Sequence, residues 1–263
     1  MSGDPTRRYS PRLLALFGKY LERYLRRHFT AVRIARDGLP EPITGPTILY
    51  ANHAAWWDPL VMLVIAGRYF PGREIYAPID RAALRRYPLL ERFGFFGIRP
   101  DSAAGARELL AASRAVLGTD RGMVALTAQG HFSDVRPRPV TIKRGLALLL
   151  KEMPHARAVP VAIEYPFWNE RLPECLIRFG AGVSADARSA DDLHAALAAA
   201  LERTLDELAT LAIAREPAPF EEVLAGRVGA GRLPDLGQRL RARLRGRRFD
   251  AAHGAIGRGA DGV

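Results

Sequence analysis

A histidine and an aspartate five residues apart, His53 and Asp58, stand in the stretch of this chain that joins an apolar strand, a loop and a buried helix, residues 46–67. A neutral imidazole has an ordinary pKa of roughly 6.5, so it can take a proton from a hydroxyl near neutral pH when a carboxylate fixes its tautomer and stabilises the cation formed. His53 is the candidate base and Asp58 its orienter. A continuous helix would set residues at this spacing about 140° apart, so the pair requires a loop that folds back. Spacing alone is also met by a helix-capping aspartate next to an unrelated loop histidine.

The surrounding pattern predicts how these residues are held. Residues 47–51 are an apolar run of strand formers, 52–57 a loop, and Asp58-Pro59 an N-cap and first-turn proline before the buried helix. Strands are expected at 74–78, 95–98, 123–127, 157–163 and 176–179. Helices are expected at 81–92 (interrupted near Pro88), 102–117 and 143–152, and from Ser189, three residues before Asp192, to 214. Val32 and Ile34 alternate with Arg33 as in an edge strand. Strands alternating with helices argue for an α/β fold, a mainly parallel sheet flanked by helices on both faces. Arg99 falls at a strand end just before a helix N-terminus, where N–H groups and the helix dipole attract anions. The loop 129–139 follows another strand end. Residues 165–173 are aromatic and turn-rich, and residue types alone assign them no chemistry.

The length of 263 residues and 48% hydrophobic composition suit one catalytic domain with appendages. Lys+Arg 39 against Asp+Glu 28 gives +11. Lys19, Lys143 and Lys151 are the lysines, so nearly all the positive charge is arginine, which favours bidentate phosphate contacts. Such charge fits nucleic acid, an anionic membrane or an acidic carrier protein alike. Cys175 is the single cysteine, which excludes an intrachain disulfide and a multi-cysteine zinc site and suits a reducing compartment. No stretch approaches the roughly 20 apolar residues of a membrane span. Residues 1–10 are expected to be disordered. Residues 11–29 carry Phe17, Tyr20, Leu21, Tyr24 and Leu25 on one helical stripe with arginines mostly elsewhere, a pattern that suits either a membrane interface or packing on the domain. The expected organisation is an amphipathic, membrane-associating segment at 1–40, a catalytic domain at 41–215 and a basic tail at 216–263, with eight arginines between 227 and 248.

Four stretches, in order, resemble the signature blocks of the glycerolipid acyltransferases, the superfamily of 1-acylglycerol-3-phosphate acyltransferase. N-H-A-A-W-W-D, from Asn52 through His53 to Asp58, matches N-H-x-x-x-x-D. G-F-F-G-I-R, ending at Arg99, resembles the second block, whose arginine in the family helps hold the acceptor's phosphate. Gln129, Gly130, His131 and Phe132 stand where the third block, usually F-P-E-G-T-R-S, is expected, and Lys143, Arg144 and Gly145 match the basic pair and glycine after it. Val159-Pro160-Val161 resembles the fourth.

The resemblance implies an O-acyltransferase acting on membrane lipid from the cytoplasmic face, as a peripheral protein. Acyl-coenzyme A or acyl carrier protein would be the co-substrate, with no metal, no other cofactor and no specific nucleic acid. His53 would deprotonate the acceptor hydroxyl and Asp58 would steady the imidazolium. Asn52, Arg99, Gln129, Gly130, His131, Lys143 and Arg144 are the expected substrate-binding residues, with backbone N–H groups near Gly130 meeting the oxyanion. Trp56 and Trp57 suit either an acyl path or core packing. The third block lacks the family's glutamate, threonine and arginine, which predicts that lysophosphatidic acid is a poor acceptor and that Gln129→Glu with Phe132→Arg improves its use. A non-catalytic lipid- or polyanion-binding protein on the same fold is the alternative. Hydrolysis through Ser133 is weaker, because no G-x-S-x-G elbow is present.

Overall fold

The computed structural model describes residues 4–40, 44–186 and 188–229. Among the described residues, nine strands form one sheet, ordered β4-β3-β5-β2-β6-β7-β1-β9, with β8 beside β6. They are β1 (Ala31–Ala35), β2 (Thr47–Ala51), β3 (Glu74–Asp80), β4 (Phe95–Ile98), β5 (Gly122–Thr127), β6 (Arg157–Glu164), β7 (Glu174–Phe179), β8 (Val183–Ser184) and β9 (Phe220–Ala225). The run from β4 to β6 is parallel throughout, and β1 is parallel to β7. Pairings of β6 with β7 and β8 and of β1 with β9 are antiparallel.

Helices α1 (Pro11–His28), α2 (Asp58–Tyr69), α3 (Arg81–Arg86), α4 (Ala103–Leu117), α5 (Gly145–Glu152) and α6 (Ala190–Ala214) cover the sheet. The all-buried β2 shows why both faces need cover. Ile48 and Tyr50 share a core with α4, α5 and α6, whereas Leu49 and Ala51 pack in a second core with α1 and α2. A parallel strand buried on both sides reads as a continuous apolar run, as residues 47–51 do. Pro160 interrupts β6 at no cost to the ladder, because it falls where the partner changes from β8 to β7.

Several expectations are corrected. β1 is an inner strand, closed by β9 on its outer side, since Val32 and Ile34 point into one core and Arg33 is held by Glu174 and Glu222. The sheet therefore extends past 41–215 at both ends. Residues 4–10 are ordered: Pro5–Arg8 form a 3-10 turn capped by Asp4, and Tyr9 packs on Tyr76 at 5.0 Å between ring centres. Beyond Arg86 the expected helix continues as a 3-10 turn, Pro88–Phe93, ended by Gly94 at φ 92°. A side chain at Gly94 would lie 2.2 Å from the carbonyl oxygen of Ile75. Most of the basic tail, residues 230–263, lies outside the described residues. No helix among the described residues is long and apolar enough to cross a membrane.

Candidate active site

His53 stands just past the C-terminal end of β2, with β5 and β6 on either side, the place where open parallel sheets bind ligands. Its backbone is fixed at both groups. The N–H of His53 donates to Oε1 of Gln129 at 2.9 Å, and its carbonyl accepts from the N–H of Ser133 at 2.8 Å. Immediately before it, Asn52 spans to β6: its amide donates to the carbonyl of Ile163 at 2.9 Å and accepts from that residue's N–H at 2.8 Å. Asn52 is 1% exposed, so its amide pins the strand end and is not offered to a substrate.

The loop folds His53 back onto Asp58. Nδ1 of His53 lies 2.7 Å from Oδ2 of Asp58, which leaves Nε2 as the ring nitrogen able to accept a proton. Asp58 is fully buried and receives two further donors, the N–H of Ala55 at 3.0 Å on Oδ2 and the phenol of Tyr165 at 2.6 Å on Oδ1. A buried carboxylate needs such donors to offset its lost hydration. Asp58 is not the expected N-cap but the first helical residue, turned toward the loop; Trp57 holds the N-cap position and makes no side-chain capping bond.

A cavity of about 1090 Å³ opens at this pair. His53, Trp56 and Phe132 border it at the pair, while Phe17, Leu63 and Phe93 line its apolar interior. Phe132 leans on the imidazole, ring centres 4.3 Å apart, and is 60% exposed. The two tryptophans separate: Trp56 is exposed at the cavity, whereas Trp57 packs among Tyr24, His28 and Phe29.

Arg99, Lys143 and Arg144 also border the cavity, and each has an acidic partner. Glu108 accepts from the N–H of Arg99 at 2.9 Å and its guanidinium at 2.6 Å, and also binds Arg81 at 2.7 Å. Lys143 meets Asp101 at 2.8 Å, which holds that carboxyl below its usual range, and Arg144 meets Asp191. Gly130 lines the cavity at φ 70°, and a side chain there would press on that of Lys143 at 3.0 Å. Its own N–H closes a turn on the carbonyl of Thr127 at 3.1 Å, so an oxyanion donor near Gly130 would have to come from a neighbouring residue. The buried Gln129 is a support for His53 and lies outside the cavity lining, as does the exposed His131. Tyr165 escaped the sequence reading, since nothing in its aromatic segment marks which ring turns inward. Among the described residues, no group of three or more His, Cys, Asp or Glu is placed to hold a metal ion.

No family model matches the chain, and no curated protein matches its sequence. Among solved structures it is similar to the 1-acyl-sn-glycerophosphate (LPA) acyltransferase PlsC from Thermotoga maritima, with a TM-score of 0.51 over 75% of this chain and 79% of that one. The two share a fold. At 14% identity the likeness is carried by the arrangement of the chain and not by its residues.

Proposed function

We propose that this protein is an O-acyltransferase that moves a fatty acyl group from an acyl thioester to a hydroxyl of a lipid. The carrying observation is the His53–Asp58 pair opening onto a large apolar cavity with cations at its border. The fold shared with an acyltransferase supports the same reading.

In this reading Nε2 of His53 takes the proton of the acceptor hydroxyl as its oxygen attacks the thioester carbonyl, and Asp58 stabilises the imidazolium. The tetrahedral intermediate collapses with cleavage of the carbon–sulfur bond, and the leaving thiolate takes the proton back from His53. No acyl-enzyme is required. With the Gly130 N–H engaged, the N–H of Phe132, a residue that borders the cavity, is the loop's candidate for the oxyanion. The acyl chain would occupy the apolar interior, and Arg99, Lys143 and Arg144 would meet anionic parts of acyl-coenzyme A or acyl carrier protein.

The same reading places the protein on the cytoplasmic face of a membrane. Leu16 and Tyr20 of α1 are exposed beside Lys19 and Arg23, and Tyr87 and Leu89, exposed at the cavity, follow Arg85 and Arg86. Apolar side chains flanked by cations suit an anionic lipid surface. The test is incubation with labelled acyl-coenzyme A or acyl carrier protein and the host's total lipid extract, followed by mass spectrometry. Acylated lipids that disappear with His53→Ala are expected; their absence with both donors would sink the reading.

A further inference from the structure

We propose that Tyr165 is a positioning residue of the acid–base pair, holding the Asp58 carboxylate in the orientation that engages Nδ1 of His53. The inference rests on the reading of His53 and Asp58 as that pair. Asp58 has two oxygens with unequal support. Oδ2 is held by His53 and by the N–H of Ala55, both within the same loop, whereas Oδ1 is held by Tyr165 at 2.6 Å. The terminal torsion of an aspartate is broad, so contacts on one oxygen leave the carboxylate free to swivel. A donor on the second oxygen, reaching in from another part of the chain, removes that freedom.

The origin of this donor matters. Tyr165 directly follows β6, and Ile163, two residues earlier, is the residue clamped on both backbone groups by Asn52. The phenol is thus delivered from a strand tied to the segment that carries His53. Its ring packs on Phe29, with centres 5.6 Å apart, which fixes the direction of approach. Burial, with Cys175 and Asp58 nearby, pushes this phenol well above its ordinary range, so it remains a donor and does not add a second anion behind the carboxylate. Tyr165 does not border the cavity, so it acts through Asp58 and not on the substrate.

Tyr165→Phe removes the hydroxyl and keeps the ring. With labelled acyl thioester and the lipid acceptor found in the host extract, kcat is expected to fall on the order of 10- to 100-fold, as for a lost hydrogen bond to a charged group, while KM for the thioester changes little. In an Asp58→Asn background the same substitution should cost nothing further, because the group it positions has lost its charge. A side chain that only packs would lower the yield of folded protein and leave kcat per folded molecule unchanged in both backgrounds. A second readout needs no substrate: the low-field proton resonance of the His53 Nδ1–H, identified by its loss in His53→Ala, should move upfield in Tyr165→Phe. Unchanged kcat, fully additive losses with Asp58→Asn, or an unmoved resonance would each overturn the proposal. Absence of transfer by the unmodified protein would count against the proposed function alone, and the resonance would then decide on Tyr165.

Discussion

His53 and Asp58 are joined at 2.7 Å by a bond whose acceptor oxygen also takes the N–H of Ala55, so the carboxylate that orients the imidazole also closes the loop on which it stands. His53→Ala is therefore expected to lower transfer by about 10²- to 10⁴-fold, the usual contribution of a general base, without loss of fold. Asp58→Asn should retain more activity, because the imidazole survives but is poorly oriented. Initial rates with circular dichroism on each variant check both. Near-normal turnover by a folded His53→Ala protein would remove the proposed base.

Gln129 should matter through the backbone of His53. Gln129→Ala leaves that N–H without its acceptor, and an unpaired polar group in a mostly buried setting costs roughly 1–3 kcal/mol. A modest fall in kcat and in thermal midpoint is expected together. Gln129→Glu keeps an acceptor for that N–H but buries a charge with one donor, so it should preserve kcat better than Gln129→Ala while lowering the thermal midpoint at neutral pH. Wild-type behaviour of Gln129→Ala would show that the loop holds His53 without this bond.

The regular elements and the His53–Asp58 spacing were legible because each is a local pattern. The apolar run at 47–51 and the Asp58-Pro59 helix start announce themselves within a few residues. What stayed hidden depends on contacts between distant segments. Gln129 has the type and position of a substrate ligand, and nothing local reveals its bond to a backbone 76 residues earlier. Asn52 looked equally available, although Ile163 occupies its amide. β9 went unseen because its sequence FEEVLA carries two adjacent acids, and only its pairing with β1 makes it a strand.

Helix α1 is tied into the domain on one side and exposed on the other, which changes how its membrane role is tested. Leu21 and Leu25 are at most 1% exposed, so removing the helix would open the core. Leu25→Ala is expected to destabilise by about 2–5 kcal/mol. Leu16→Ser with Tyr20→Ser should leave the thermal midpoint nearly unchanged and weaken binding to anionic vesicles, measured by cosedimentation. Unchanged vesicle binding would confine α1 to packing.

Glu164, the last residue of β6, provides a pH-dependent test. Burial raises its carboxyl above the ordinary value of 4.5, with Arg138 opposing the shift and Asp134 adding to it. Between that value and the raised one the native state binds more protons than the unfolded chain, so this group's contribution to stability falls as pH rises through the window. Glu164→Gln should therefore raise the thermal midpoint near pH 7 and give little gain at about pH 4. A gain confined to acid pH would contradict the assignment.

The acceptor is the most consequential prediction, and the structure changes its basis. Gln129 faces His53's backbone, so exchanging it for glutamate adds no headgroup contact. On the proposed function, the features that would discriminate are Phe132, leaning on the imidazole, and Arg99, held by Glu108 through both backbone and guanidinium. The exposed pairs Lys143–Asp101 and Arg144–Asp191 open cheaply, as surface ion pairs do, but they set an acid beside each cation where a phosphate would bind. A ring beside the imidazole would suit an uncharged or sugar-bearing headgroup, which can stack, better than a phosphomonoester, which needs unoccupied donors. Lysophosphatidic acid is therefore expected to be acylated more slowly than an uncharged or glycolipid acceptor from the host extract. Phe132→Arg, and separately Glu108→Gln to release Arg99, should each improve its relative use in competition assays read by mass spectrometry. If the unmodified protein acylates lysophosphatidic acid as fast as any lipid in the extract, Phe132 does not set the acceptor class, and the paired cations at the cavity are exchanged for phosphate without penalty.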